Sequence, residues 1–256
     1  MLATDRCHIM EDPWGDNAIA VRFEEPEEVC AVGVQVDGIV AVGDRPTVIA
    51  ARTAERLGLP WHPPAAAELC RDKHRMRARF AEAGLPAPRF VLARAGEHIT
   101  PEFPCVLKPL GLSGSRGVIR ANDLAEFVSA RERIRRIVDD PDADIQVEEY
   151  IPGREFALEG LMSHGHLQTL AIFDKPDPLE GPFFEETIYV TPSLEPAETQ
   201  AAIIETTRRA ASALGLWHGP IHAEMRVNGS GVYMLEIAAR PIGGLCSRAV
   251  RLGGYT

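Results

Sequence analysis

The chain has 256 residues, 45% of them hydrophobic and 25% charged, and a formal net charge of −10. That length can bury a core and hold one to three small domains, and the acidic balance argues against a protein built to neutralise nucleic-acid phosphates. Five scattered cysteines (Cys7, Cys30, Cys70, Cys105, Cys246) form no CxxC pair, which excludes a disulfide scaffold and points to thiols in a reducing compartment. No apolar run approaches a membrane span, and the acidic N-terminus is no signal peptide. The expectation is a cytoplasmic protein with no membrane or nucleic-acid partner.

Residues 1–63 alternate short strand and helix signals, as in a parallel α/β layer. Leu2–Thr4, Ala18–Phe23 and Cys30–Val36 read as strand pieces, and the apolar run 38–43 ends in a turn before a helix over 47–57. Gly58 and Pro60 close that helix. Pro63-Pro64 starts a second region, with one helix expected over 65–83 and strands over 90–94 and 103–109. Asp123 and Glu126 form a capping-box signature that opens a helix to about Val138. Further strands are expected over 144–149, 155–161 and 166–174. The stretch 175–187, rich in Pro, Gly and acid, suits a moving loop over a site. An amphipathic helix over 196–214 leads into a hairpin over 221–240.

The hairpin carries the sharpest chemical signal. If Asn228 pairs with Val232 across a three-residue Gly-Ser-Gly loop, one face holds Ile221, Ala223, Met225, Val227, Tyr233, Leu235 and Ile237. The other face then holds His222, Glu224, Arg226, Glu236 and Arg240, with Glu224 opposite Glu236. Like charges so placed are destabilising by up to roughly 1 kcal/mol. Neighbouring Arg226 and Arg240 could neutralise them, a raised pKa could relieve them, or a Mg²⁺ ion could sit between them. Because Mg²⁺ commonly takes one or two carboxylates plus phosphates, that last reading predicts a nucleotide apparatus upstream.

Two upstream motifs answer to it. Lys108 ends an apolar strand just before the glycine-rich Gly111–Val118, a pairing suited to polyphosphate, though a Gly/Ser loop alone is more often a hairpin connection. It is neither a Walker A loop nor a dinucleotide fingerprint. Glu148-Glu-Tyr-Ile-Pro-Gly-Arg-Glu155 is a strand running into a Pro-Gly turn with a carboxylate on each side, able to meet an adenine edge and ribose hydroxyls, or else a surface hinge.

Lys73, Lys108-Pro109 with its glycine loop, Glu148 to Glu155, and Glu224 with Glu236–Arg240 stand in an order and spacing that resembles the ATP-grasp superfamily, from about Pro64 onward. Asp174-Lys175, Gly181–Glu186 and Arg240–Gly244 most resemble carboxylate–amine ligases of the L-amino-acid ligase type. The resemblance implies an α/β (α+β) ATP-grasp fold, two α/β subdomains sandwiching ATP. They would be a lid over about 89–148 and a C-terminal subdomain over about 149–256, within a domain of 64–256. A partial Rossmann-like pre-ATP-grasp domain over 1–63 would precede them, the whole shortened at both termini.

The resemblance further implies that Lys73 and Lys108 hold ATP phosphates under Ser113, Gly114, Ser115 and Gly117. Glu148 would accept from the adenine amino group, the Ile151 backbone would meet the ring and Glu155 would bind ribose, with Glu149 also cofactor-binding. Glu224 and Glu236 would bind Mg²⁺, with Mn²⁺ as a substitute. Glu186, His222, Arg240 and Gly243 would contact substrate, Arg240 and Lys108 serving catalysis. The implied activity joins a small carboxylate to an amine through an acyl phosphate, in a monomer or a homodimer. One departure stands out: the family usually has Asn two residues after the second metal-binding Glu, and this chain has Ala238. A carboxylase using bicarbonate, or a nucleotide-binding module without activity, remain open alternatives.

Overall fold

Strand parity decides which side chains this chain buries and which it turns toward a common cavity. In a computed structural model the structure describes residues 2–4, 17–23, 25, 28, 30, 36–185 and 188–250. Strands β1 (Leu2–Thr4) and β2 (Ala18–Ala20) pair in parallel. Residues 31–35 of the expected strand 30–36 lie outside the described residues. Helix α1 (Thr47–Leu57) ends as its sequence predicts, with Gly58 at φ 65° and its N–H bonded to Ala54 and Glu55 carbonyls.

The single helix expected over 65–83 is two. Helix α2 (Pro64–Arg71) stops at Asp72, which is extended (φ −116°, ψ 103°), and α3 (Lys73–Glu82) starts immediately after it. The Asp72 carboxylate accepts from the His74 and Arg75 N–H groups, both at 3.0 Å, so the break doubles as an N-cap. Helical periodicity continues through the break, which is why the sequence pattern hides it.

The first large sheet is antiparallel. Its strands are β3 (Phe90–Ala93), β4 (Cys105–Pro109), β5 (Ile119–Ala121) and, after helix α4 (Leu124–Val138), β6 (Ile145–Glu149), in spatial order β3-β6-β4-β5. Asp123 caps α4 by accepting from the Glu126 N–H at 2.9 Å. Cys105, Leu107, Ile145 and Val147 pack under α4 with Phe127 and Ile134. Alternation therefore sends Val106, Lys108, Gln146 and Glu148 to the opposite face.

The second sheet contains β7 (Arg154–Ser163), β8 (His166–Lys175) and, after helix α5 (Ala197–Leu214), β9 (Gly219–Asn228) and β10 (Gly231–Ala238), in order β10-β9-β7-β8. Phe156, Leu158, Ile221, Ala223, Met225, Met234 and Ile237 form its core against α2, α3 and α5, with Met76, Phe80, Ile203 and Leu214. Its other face carries Glu155, Glu159, His222, Glu224 and Arg226. Among the described residues no helix is long and apolar enough to cross a membrane.

The hairpin reaches the expected acid pairing by a different route. Its turn has two residues, not three: Gly231 pairs with Asn228, and Met234 with Met225. A bulge then inserts Leu235 between Met234 and Glu236, and Glu236 faces Glu224. Val232 and Met234 consequently join the core, whereas Tyr233 lies opposite Arg226 on the other face and Leu235 lines the cavity.

The stretch after β8 crosses from one sheet to the other. Val190 forms a bridge with Asp174 at the edge of β8, and Phe183 forms one with Ile119 on β5. Arg120 N–H donates to Pro182 O at 2.9 Å. Leu179 and Phe184 are buried against Val106, so the described part of this stretch is packed between the two sheets. At the turn into β7, Gly153 has φ 128° and an added Cβ would sit 2.4 Å from Val227 O. Gly153→Ala is accordingly expected to destabilise the fold by about 1–3 kcal/mol from backbone strain alone, read as a lower urea midpoint.

Candidate active site

The polar faces of the two sheets enclose a cavity of about 530 Å³, within the range of small-molecule sites. On the wall built by the first sheet, Lys108 Nζ lies 2.7 Å from Glu148 Oε2. Glu148 Oε1 accepts from Arg77 Nε at 2.9 Å and from Gln146 Nε2 at 2.7 Å. Burial by itself would raise the Glu148 pKa, but the adjacent Arg77 and Lys108 cations bring it down to about 2. Lys73, the first residue of α3, donates to Leu112 O in the glycine loop and lies 3.7 Å from Glu236 Oε2. The helix break at Asp72 thus places a lysine ammonium between the loop and the paired acids.

The facing wall is a charge ladder. Lys175 Nζ, 1% exposed, sits 3.0 Å from Glu155 Oε1 and 2.9 Å from Glu224 Oε1. Arg226 donates to Glu155 Oε2 at 3.0 Å, to Ile151 O at 2.9 Å and to Leu179 O. His222 Nδ1 pairs with Glu159 Oε1 at 2.5 Å, and its Nε2 is 3.3 Å from Glu224 Oε1. Burial would discharge that ring, yet the hydrogen bonds to the two carboxylates raise its pKa to about 9. Burial likewise opposes ionisation of Glu224, and Lys175 with His222 still holds it well below its ordinary range. Glu159 Oε2 accepts from the Ile242 N–H at 2.9 Å, tying β7 to the segment after β10.

Arg240 donates through Nε to Asp44 Oδ1 at 2.9 Å and through Nη1 to Pro241 O at 3.0 Å. Burial works against both charges of this pair. The Arg240 guanidinium nevertheless lowers the Asp44 pKa, and Asp44 raises that of Arg240.

Most residues picked from sequence converge on this one cavity. Lys73, Lys108, Ser113, Gly114, Ser115, Glu148, Glu149, Ile151, Glu155, His222, Glu224, Glu236, Arg240 and Gly243 all line it. Three expectations need correction. Gly117 does not line it: at φ 75°, with a would-be Cβ 3.1 Å from Pro109 Cγ, it lets the glycine loop pack on the strand end. Glu148 has both oxygens engaged by buried cations rather than open toward a base. Glu149 turns its carboxylate to Arg89, 3.0 Å away, at the rim. Glu186 lies outside the described residues. His164 and His166, at the turn between β7 and β8, are exposed and lie outside this cavity.

Asp44, Arg77, Glu159 and Lys175 were not singled out as site residues from sequence. Parity along β7 and the pairing of Glu155 with Lys175 across β7–β8 could have found Glu159 and Lys175. No local pattern marks Asp44 or Arg77, whose partners lie far along the chain.

Glu224 and Glu236 suit a hard divalent cation, because two carboxylates on neighbouring strands point into a cavity that Lys73 and Lys108 also line. Among the described residues no group of three or more His, Cys, Asp or Glu could hold a metal. The protein would thus supply two carboxylates and leave the other positions to phosphate and water, the usual habit of Mg²⁺.

Two sheets closing on lysines at one wall and facing acids at the other have the architecture of a nucleotide clamp. The ATP-grasp domain profile matches residues 101–249, more than half of the chain, and the chain belongs to the ATP-grasp family. Alanine–anticapsin ligase of Bacillus subtilis is 30% identical over 246 residues, covering 84% of this chain and 52% of that protein. Carnosine synthase 1 of Gallus gallus is 30% identical over 236 residues, covering 84% of this chain and 25% of that protein. Among solved structures, an L-amino acid ligase from Bacillus licheniformis is similar, with a TM-score of 0.76 at 32% identity, over 89% of this chain and 56% of that one. The chain therefore spans about half the length of the alanine–anticapsin ligase.

Proposed function

We propose that this chain performs ATP-dependent joining of a small carboxylate to an amine, with Mg²⁺ at Glu224 and Glu236. The observation that carries the reading is the juxtaposition of Lys73 and Lys108 with the Glu224–Glu236 pair in one cavity, with Arg240 on the same rim. Similarity to ligases that span the same segments supports it. The lid would be residues 89–148, the C-terminal half 149–256, and 1–63 the partial preceding domain.

In this reading the apolar cluster of Val106, Val118, Tyr150, Leu179 and Phe184 receives the base. The Ile151 backbone meets its edge, and Glu155 accepts from ribose. Lys73 and Lys108 take phosphate oxygens, and the Ser113–Ser115 backbone covers them. Bound Mg²⁺ would neutralise phosphate charge. A substrate carboxylate oxygen attacks the γ-phosphorus, the bond to the β-phosphate oxygen breaks, and ADP leaves. The amine nitrogen then attacks the acyl carbon, the bond to the phosphate oxygen breaks, and the departing phosphate takes the proton the nitrogen gives up. Arg240 stabilises charge on the acyl phosphate, as expected where positioning and electrostatics dominate phosphoryl transfer. The segment carrying Leu179 and Phe184 keeps water from an intermediate that would otherwise hydrolyse.

The setting is cytoplasmic, consistent with free Cys30, Cys70, Cys105 and Cys246, and the protein acts as a monomer or homodimer on small molecules. Mn²⁺ can replace Mg²⁺. ADP release screened against pairs of amino acids, with mass detection of condensed product, tests the reading. Product formation dependent on both partners is the expected result. Incorporation of labelled bicarbonate would make it a carboxylase, and ATP binding without turnover on any pair would make it a binding module.

A further inference from the structure

Arg77 is 3% exposed and belongs to neither sheet, yet it bonds to both. From α3 its Nε and Nη2 reach Glu148 Oε1 at 2.9 and 2.7 Å. Its Nη1 donates to Met234 O at 2.7 Å, and Nη2 donates again to Leu235 O at 2.8 Å. Those two carbonyls flank the β10 bulge. β10 is the outer strand of its sheet, and Met234 N–H already turns outward to Pro86 O. The bulge takes Leu235 out of the ladder, and a buried carbonyl left unpaired is costly. Charge balance for Glu148 would need only a cation, which Lys108 already supplies. The planar fork does more: it satisfies the bulge from outside the sheet, which a lysine's compact ammonium cannot do at both carbonyls while also holding Glu148.

The bulge has a direct consequence for the acids. Without the extra residue, β10 would continue the Met234–Met225 register, Leu235 would face Glu224, and Glu236 would turn into the core beside Ala223. We propose that Arg77 is a positioning residue of the nucleotide site, fixing the bulge that turns Glu236 toward Glu224 and joining it through Glu148 to Lys108. This rests on the nucleotide and metal reading above. One guanidinium then sets the spacing between the two charges that phosphate and cation must meet together.

The test is the ratio of ATP dissociation constants without and with Mg²⁺, measured by calorimetry in EDTA and in saturating MgCl₂. Arg77→Lys keeps a cation beside Glu148 and loses the double carbonyl contact. The expected result is a fall of tenfold or more in that ratio, with metal-free affinity changed less than threefold. A purely structural arginine would lower the melting temperature and leave the ratio alone, so a folded Arg77→Lys with the native ratio overturns the proposal. Should Arg77→Lys fail to fold, Arg77→Gln, which leaves Glu148 paired with Lys108, decides. A drop of threefold or more in the ratio supports the linkage, whereas equal weakening with and without metal overturns it. Native protein that binds no ATP, or binds it with no response to magnesium, instead overturns the functional reading and this inference with it.

Discussion

Glu236→Gln is expected to cut substrate-dependent ADP release by about 10²–10³, the scale seen when one preorganised electrostatic group is removed from an active site. The same change should leave the melting temperature within about 4 °C, or ~1 kcal/mol for a chain of this size. The asymmetry follows from its surroundings. Its side chain is 26% exposed and its nearest cation, Lys73, is 3.7 Å away, so little buried charge is left stranded. Removing one of two facing carboxylates also relieves their repulsion. Glu224→Gln should behave differently, losing both activity and stability, because Lys175 and His222 lean on it. A coupled ADP assay run beside thermal melts checks both variants. Full ADP release in Glu236→Gln would remove the metal assignment.

Glu148→Ala should be the most damaging change to the fold, at about 3–5 kcal/mol, because it leaves two buried cations without their counter-charge. Both Arg77 and Lys108 point at that one carboxylate. Its pKa near 2 lies below the ordinary value of 4.5. The native state therefore gains from the ionised form above pH 4.5, and that gain drains away as pH falls toward 2. Urea denaturation of native and variant protein should show a wide stability gap at pH 7 that narrows through this window. A gap that stays constant from pH 7 to 3 would place the stabilisation elsewhere.

Local chemistry was legible in the sequence to the extent that it depends on parity and caps. Alternation along the hairpin put Glu224 and Glu236 on one face, Lys108, Glu148 and Glu155 stood out only through the order of their motifs, and Asp123 announced α4 to the residue. The pairing of Glu224 with Glu236 was also readable, but for an incomplete reason. A three-residue turn and a two-residue turn with a bulge give the same pairing at the acids, and only the partners of residues 231–235 distinguish them. The break at Asp72 was hidden because α2 and α3 keep their apolar faces on a common core. Asp44 and Arg77 could not be found at all. Their meaning lies in Arg240 and Glu148, 196 and 71 positions away, and nothing beside them in the chain encodes that distance.

The stretch that bridges Asp174 through Val190 and Ile119 through Phe183 shields the outer strand of both large sheets. Unshielded strand edges are templates for self-association. A protease cut within this one connection would bare two such templates at once, on strands only three and ten residues long. Nicked protein should therefore be prone to aggregate even while its two cores stay packed, and the integrity of the connection is the first thing to verify in any preparation that precipitates.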